Sequence, residues 1–202
     1  KVFDIKPDID LDVMRPNQTL TALTARLLTG LDDVLLGEHP DVVLAQGDTT
    51  TVMTAALACF YHRIPFGHVE AGLRTWDLQN PFPEEMNRVI AGRLAKWYFA
   101  PTESSRQNLL REGVSDANIV VTGNTVIDAL LSVVDRGAEL PVELDQTKRL
   151  ILVTAHRREN FGEPFERICH ALLALLERNQ DVQVLYPVHP NPQNQSHPPH
   201  AS

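Results

Sequence analysis

Several positions combine residue type and setting in a way that suits acid–base chemistry: Asp48 in QGDTTT, Glu70 in GHVEAGLRT, Glu84 with Glu85 in PFPEEMNR, and His156 in LVTAHRREN. Asp48, Glu70 and His156 each come a few residues after a short apolar run of strand character. Open parallel sheets bind ligands beyond the carboxyl ends of their strands, so these residues are expected along one rim. Glu84 opens a helical stretch behind Pro81 and Pro83. Turned back into the same cleft, it would face Asp48 and Glu70, and like charges at short range raise one carboxyl pKa and spread the others. An acid and a base would then coexist near neutral pH, which is what two-sided proton transfer needs. His156, Arg157 and Arg158 close a strand-to-helix turn and can hold a diphosphate. The combination points to proton chemistry on a phosphorylated substrate.

Each of these residues also has a plainer reading. Asp48 can cap the helix that begins in Thr49-Thr50-Thr51, and capping and catalysis are compatible. Glu70 can be a loop carboxylate paired with Arg74. Glu84 and Glu85 sit where carboxylates favour the positive end of a helix dipole, and the basic trio can be a solvated charge run. His68 lies inside an apolar strand and reads as a satisfied core histidine, whereas His39, His62 and His170 read as surface or helix-flank residues. His189, His197 and His200 lack the spacing of a zinc site, and neither a nucleophile elbow nor a phosphate-binding P-loop is present. No cofactor and no metal are expected.

The elements that must position these groups alternate along the chain. Leu20, Leu23, Leu27, Leu31 and Val34 keep a helical period after Asn17-Gln18-Thr19, and Gly37 with Pro40 closes the run. Strands are predicted at 42–45, 65–69, 97–100 and 119–122, with helices at 50–61, 84–95, 102–112 and 125–134. Such alternation implies right-handed crossovers and a parallel sheet, an α/β fold. The polar stretch from Asp135 to Lys148 separates this unit from a strand at 150–153, a helix at 164–178 and a strand at 182–186. The tail NPQNQSHPPHAS has almost no apolar content and is expected to be disordered. The divisions are therefore 1–140, 141–190 and 191–202. Two strands are few for a parallel sheet, which normally has about five or six, so the second unit's core looks unfinished. The first unit lacks a glycine-rich turn at its start. The chain is expected to be incomplete at both ends.

With 202 residues, 43% of them hydrophobic, the chain can bury a core. A net charge of −8 argues against a nucleic-acid surface while leaving an anionic small molecule open to a few local cations. Cys59 and Cys169 stand alone in apolar runs, which fits a reducing cytoplasm. No apolar run approaches the roughly 18 residues of a membrane span, and no targeting segment is visible.

Taken in order, QGDTTT, GHVEAGLRT, PFPEEMNRVIAGRLA, PTESSRQNLLREG, VTGNTVIDAL and LVTAHRREN resemble the non-hydrolysing UDP-N-acetylglucosamine 2-epimerases, from about Asp8 to Pro192. The resemblance implies a glycosyltransferase-B-like architecture of two Rossmann-like domains, as a homodimer at full length. It implies interconversion of UDP-N-acetylglucosamine and UDP-N-acetylmannosamine for cell-surface polysaccharide synthesis. The family's route is anti elimination of UDP to a 2-acetamidoglucal, then re-addition with the opposite configuration at carbon 2. Its catalytic carboxylates match Asp48, Glu70 and Glu84, and its active-site histidine matches His156, expected near the departing diphosphate. Arg74, Arg88 and Arg157 are assigned to substrate binding. Arg157 also resembles a contact to a second, activating UDP-N-acetylglucosamine, a role that strictly hyperbolic kinetics at full length would remove.

The family's N-terminal GTRPE-like loop and C-terminal DSGG-like loop have no counterpart here, so the chain alone is expected to be weakly active or inactive. Two enzymes compete with this reading. A glycosyltransferase of the same architecture would need an acceptor and only one base, and a hydrolysing epimerase would release free N-acetylmannosamine. A binding or dimerisation module would hold the nucleotide sugar without exchanging its carbon 2 proton.

Overall fold

The computed structural model of the chain describes Phe3 and residues 5–134, 142–155 and 162–187. The chain divides into two compact units, Lys1–Ala138 and Glu139–Ser202. The first opens with helix α1 (Leu20–Glu38), started by the Thr19 hydroxyl, which accepts from the Ala22 amide, and ended at His39 in the left-handed conformation. Then follow β1 (Val43–Gln46), α2 (Thr50–His62), β2 (Phe66–Val69), α3 (Glu84–Leu94), β3 (Trp97–Ala100), α4 (Glu103–Arg111), β4 (Ile119–Val121) and α5 (Thr125–Val134). All four strands are parallel and lie in chain order, with Val43 opposite Phe66, Gly67 opposite Trp97 and Tyr98 opposite Ile119. A parallel pair needs a crossover longer than a hairpin, and α2, α3 and α4 supply it.

Helix α2 is apolar nearly all round, and such a helix has to be buried. Val52, Met53, Ala55, Ala56, Ala58 and Cys59 are all buried, with α1 and α3 packed to either side. Together with Leu35, Phe66 and Ala91 most of them form the larger core, against which Val43 and Ala45 of β1 rest. A second cluster, Ala71, Tyr98, Ala100, Leu109 and Ile119, joins β3 and β4 to α4. The Tyr98 hydroxyl lies 2.7 Å from the Gly92 carbonyl and 2.8 Å from that of Ala95, which ties β3 to the end of α3.

Two glycines make the close packing below the site. At Gly72, with φ of +88°, an added Cβ would stand 2.3 Å from the Ser105 carbonyl oxygen, an atom fixed in α4. At Gly67 the nearest atom, 2.5 Å away, is the Cδ2 of Leu44, whose side chain is exposed and can swing aside. Gly72→Ala is therefore expected to cost at least about 2 kcal/mol through overpacking and left-handed strain. Gly67→Ala should cost less than about 1 kcal/mol. Urea unfolding of both variants measures the difference; equal midpoints would contradict it.

The second unit contains β5 (Arg149–Leu152), α6 (Glu163–Arg178) and β6 (Val182–Leu185), with β5 and β6 paired in parallel. Phe165 and Val182 are buried between them, and the Tyr186 hydroxyl donates to the Ala155 carbonyl. The α/β class and the order of elements match those expected, with most boundaries within a residue. Residues 135–141 of the polar separator and the whole tail 191–202 lie outside the described residues. No described helix is long and apolar enough to cross a membrane.

Candidate active site

The site is built on the turn that leaves β1. Gly47 continues the strand ladder, its amide donating to the Val69 carbonyl, and then turns with φ of +88°. Asp48 follows, and Thr49 is the N-cap residue of α2 but makes no side-chain capping bond. The cap reading of Asp48 is thereby replaced: its Oδ2 accepts from Arg88 Nε at 3.0 Å and Nη2 at 2.7 Å. Both donors fall on one oxygen, and Oδ1 has no partner among the described residues. The arrangement fixes the carboxylate and leaves one oxygen to act.

Glu70 follows β2 directly and holds φ of +68°, the left-handed region that costs an L-residue about 1–2 kcal/mol. The backbone enforces this from both sides, since Val69 accepts from Gly47 and the Ala71 amide donates to Phe99 across to β3. Strain of this kind persists only where its surroundings over-determine it, and it clusters at functional sites. The Glu70 carboxylate reaches back over the neighbouring strand's turn, with Oε2 3.8 Å from where a Gly47 Cβ would be. Only glycine leaves that space free of a side chain. No hydrogen bond or ion pair engages the Glu70 carboxylate among the described residues.

Glu84 and Glu85 open α3, and the structure separates them. Glu85 is 1% exposed; its Oε1 accepts from the Thr75 and Trp76 amides at 2.9 and 3.0 Å, and its Oε2 from Arg88 Nη1 at 3.0 Å. It secures the loop between β2 and α3. Glu84 is half-buried and has no partner among the described residues. It precedes Asn87 and Arg88 by three and four positions, so it shares the helix face that grips Asp48.

Burial alone would raise the Glu85 pKa, but the Arg88 guanidinium and the two amides outweigh it and hold the carboxyl below its ordinary 4.5. A depressed carboxyl stabilises the fold fully above its unfolded value and loses that contribution as pH falls through the folded one. Stability should therefore decline below about pH 4.5, and Glu85→Gln should flatten the decline. Unfolding midpoints measured from pH 6 to 3 test this; parallel curves for both proteins would contradict it. Arg88 answers in kind: burial disfavours its charge, and Glu85 and Asp48 more than restore it.

Arg74 is withdrawn from the cleft. Its side chain is 1% exposed, and its Nε and Nη2 meet the two Glu112 oxygens at 2.7 and 2.9 Å, a bidentate pair, instead of Glu70. Gly92 makes room for it, since a Cβ there would stand 2.9 Å from Nη2. His156 and Arg157, with Arg158, lie outside the described residues. Among the described residues no three His, Cys, Asp or Glu side chains are grouped to hold a metal ion.

Two side chains that the sequence reading left in the background join the turn. His68 Nε2 lies 2.7 Å from the Gly47 carbonyl oxygen, and Asn87 Nδ2 donates to the Asp48 carbonyl at 2.8 Å. Burial lowers the His68 pKa, only partly opposed by that carbonyl, and since a carbonyl can only accept, Nε2 is the donor in this contact. The signal for Glu85 was present in the sequence as its i,i+3 spacing from Arg88. Asn87 and His68 carried no comparable local mark.

Residues 1–198 match the family model described as UDP-N-acetylglucosamine 2-epimerase. Among curated relatives, the UDP-N-acetylglucosamine 2-epimerase of Yersinia pestis is 57% identical over 95% of this chain and 54% of its own length. That of Escherichia coli K12 is 55% identical with the same coverage. Among solved structures, the UDP-GlcNAc 2-epimerase of Neisseria meningitidis bound to UDP-GlcNAc superposes with a TM-score of 0.87 at 43% identity, over 96% of this chain and 54% of that one. The chain thus spans about half the length of the curated relatives it matches.

Proposed function

The chain belongs to the UDP-N-acetylglucosamine 2-epimerase family, and we propose that the protein at the full length of its relatives interconverts UDP-N-acetylglucosamine and UDP-N-acetylmannosamine. The observation that carries this reading is the pair of carboxylates on adjacent strand ends: Asp48, held through one oxygen, and Glu70, unpaired among the described residues and reaching over Gly47. Inversion at carbon 2 requires a proton to leave one face and arrive on the other. In the elimination the C2–H and C1–O bonds break, the C1–C2 double bond forms, and UDP departs. In re-addition the C1–O bond forms again with its original configuration, the double bond is lost, and a proton arrives at C2 on the opposite face. We assign Asp48, Glu70 and Glu84 jointly to proton removal and return, the last two supported by carboxylates without a partner among the described residues. General acid–base catalysis by such groups is worth about 10²–10⁴-fold.

His156 and Arg157 are assigned to the departing diphosphate. Arg88 serves the substrate by fixing Asp48, and Arg74 by anchoring the loop that carries Glu70. A cytoplasmic homodimer with UDP-N-acetylglucosamine as both substrate and activator, feeding cell-surface polysaccharide synthesis, completes the proposal. Product analysis separates it from its rivals. Incubation with UDP-N-acetylglucosamine alone should yield UDP-N-acetylmannosamine without accumulating UDP or free N-acetylmannosamine. Dependence on an added acceptor would mark a glycosyltransferase, and release of the free sugar would mark a hydrolysing enzyme; either would overturn the proposal.

A further inference from the structure

The turn between β1 and α2 contains two carbonyls that regular structure cannot satisfy. The Gly47 and Asp48 carbonyls lie past the strand and ahead of the helix, whose first bonds run from the Val52 and Met53 amides to the Thr49 carbonyl. Gly47 and Asp48 are both half-buried, and each carbonyl receives a donor from a side chain on a different element. His68 of β2 meets the Gly47 carbonyl at 2.7 Å, and Asn87 of α3 meets the Asp48 carbonyl at 2.8 Å. We propose that His68 and Asn87 are positioning residues for Asp48, clamping two consecutive peptide units so that its carboxylate keeps its place beside Glu70. The inference rests on the epimerase reading and deepens it.

The need for a clamp follows from Gly47. A glycine at φ of +88° has the widest backbone freedom of any residue, so the chain is softest immediately before Asp48. A peptide rotation there would swing the Asp48 side chain and also shift the turn over which the Glu70 carboxylate lies. Arg88 restrains the carboxylate from one end but not the backbone that carries it.

Stability alone does not account for this choice of residues. His68 and Asn87 are each 1% exposed, and His68 Nδ1 and Asn87 Oδ1 are buried without a hydrogen-bond partner among the described residues. A bare buried acceptor costs about 1–3 kcal/mol, which offsets what each side chain gains by donating to the turn. Sequences depart from local rules of this kind mainly where function requires it.

The test uses the protein at the full length of its relatives. First, wild type is incubated with UDP-N-acetylglucosamine in heavy water; absence of carbon 2 exchange would remove the epimerase reading and this inference with it. Given exchange, His68→Leu and Asn87→Leu are expected to lower kcat by about 10–100-fold, the scale of a slightly misplaced catalytic group. KM should stay within about 3-fold, since substrate binding is not what the clamp provides. His68→Gln, which keeps an N–H near Nε2, should recover most of the lost kcat. Unchanged kcat per folded molecule, a loss confined to KM, or a Gln variant as poor as Leu would overturn the clamp and leave the epimerase reading intact. Should the leucine variants fail to fold, long-range proton–nitrogen NMR of wild type decides: a proton on Nε2 of His68 is required, and one on Nδ1 sinks the proposal.

Discussion

Glu70→Gln is expected to lower carbon 2 epimerisation by about 10²–10⁴-fold, the usual contribution of a positioned proton-transfer group. Its effect on stability should stay within roughly 0.5 kcal/mol, because the carboxylate has no protein partner among the described residues to lose. Glu70→Gly separates activity from stability. The backbone here is left-handed, where glycine is at ease and an L-residue is not. This variant should therefore be at least as stable as wild type, and up to about 1 kcal/mol more so, while being as inactive as Gln. Turnover with paired thermal unfolding reads both quantities. An active Gln variant, or a Gly variant that loses stability in proportion to activity, would show that Glu70 is a structural residue.

Arg88→Met should produce the largest loss of stability among the site substitutions. The guanidinium satisfies Glu85, which is 1% exposed, and Asp48 at the same time. Removing one partner of a buried pair costs about 3–5 kcal/mol because it strands the opposite charge. The Thr75 and Trp76 amides would still hold one Glu85 oxygen, so the loss should fall at the lower end of that range. Adding Glu85→Gln to Arg88→Met should recover part of it, a positive coupling visible in a double-mutant cycle. Activity should not return with stability, since Asp48 remains loose. Strict additivity in the cycle would refute the account of this pair.

The features that were legible in the sequence are those set locally. The helical period of α1, the unbroken apolar run of α2 and the Thr102 start of α4, where the hydroxyl accepts from Ser105, follow from neighbours a few residues apart. The shared side of Asp48 and Glu70 was legible too, because strand ends in a parallel sheet lie together, whereas His156 lies outside the described residues. What the sequence withheld was pairing at long range. By sequence Arg74 can pair with Glu70 four residues away or bind substrate; in the structure it meets Glu112, which the end of α4 brings to it across 38 positions. A local cap is the plainer of the two readings that the sequence allows for Asp48, yet Arg88 binds it from 40 positions away. Glu84 and Glu85 are adjacent, and only the docking of α3 decides that Glu85 turns inward, since successive helical residues point roughly 100° apart. His68 was read as a satisfied core histidine; one nitrogen is satisfied and the other is not.

The central claim is that carboxylates in this part of the protein remove the carbon 2 proton and return another from solvent. Proton NMR of UDP-N-acetylglucosamine incubated in heavy water with the protein at the full length of its relatives tests it most directly. The account predicts loss of the carbon 2 proton signal, one deuterium at that carbon in both epimers, and appearance of UDP-N-acetylmannosamine, all suppressed in Glu70→Gln. Formation of the manno epimer with its carbon 2 proton retained would contradict it.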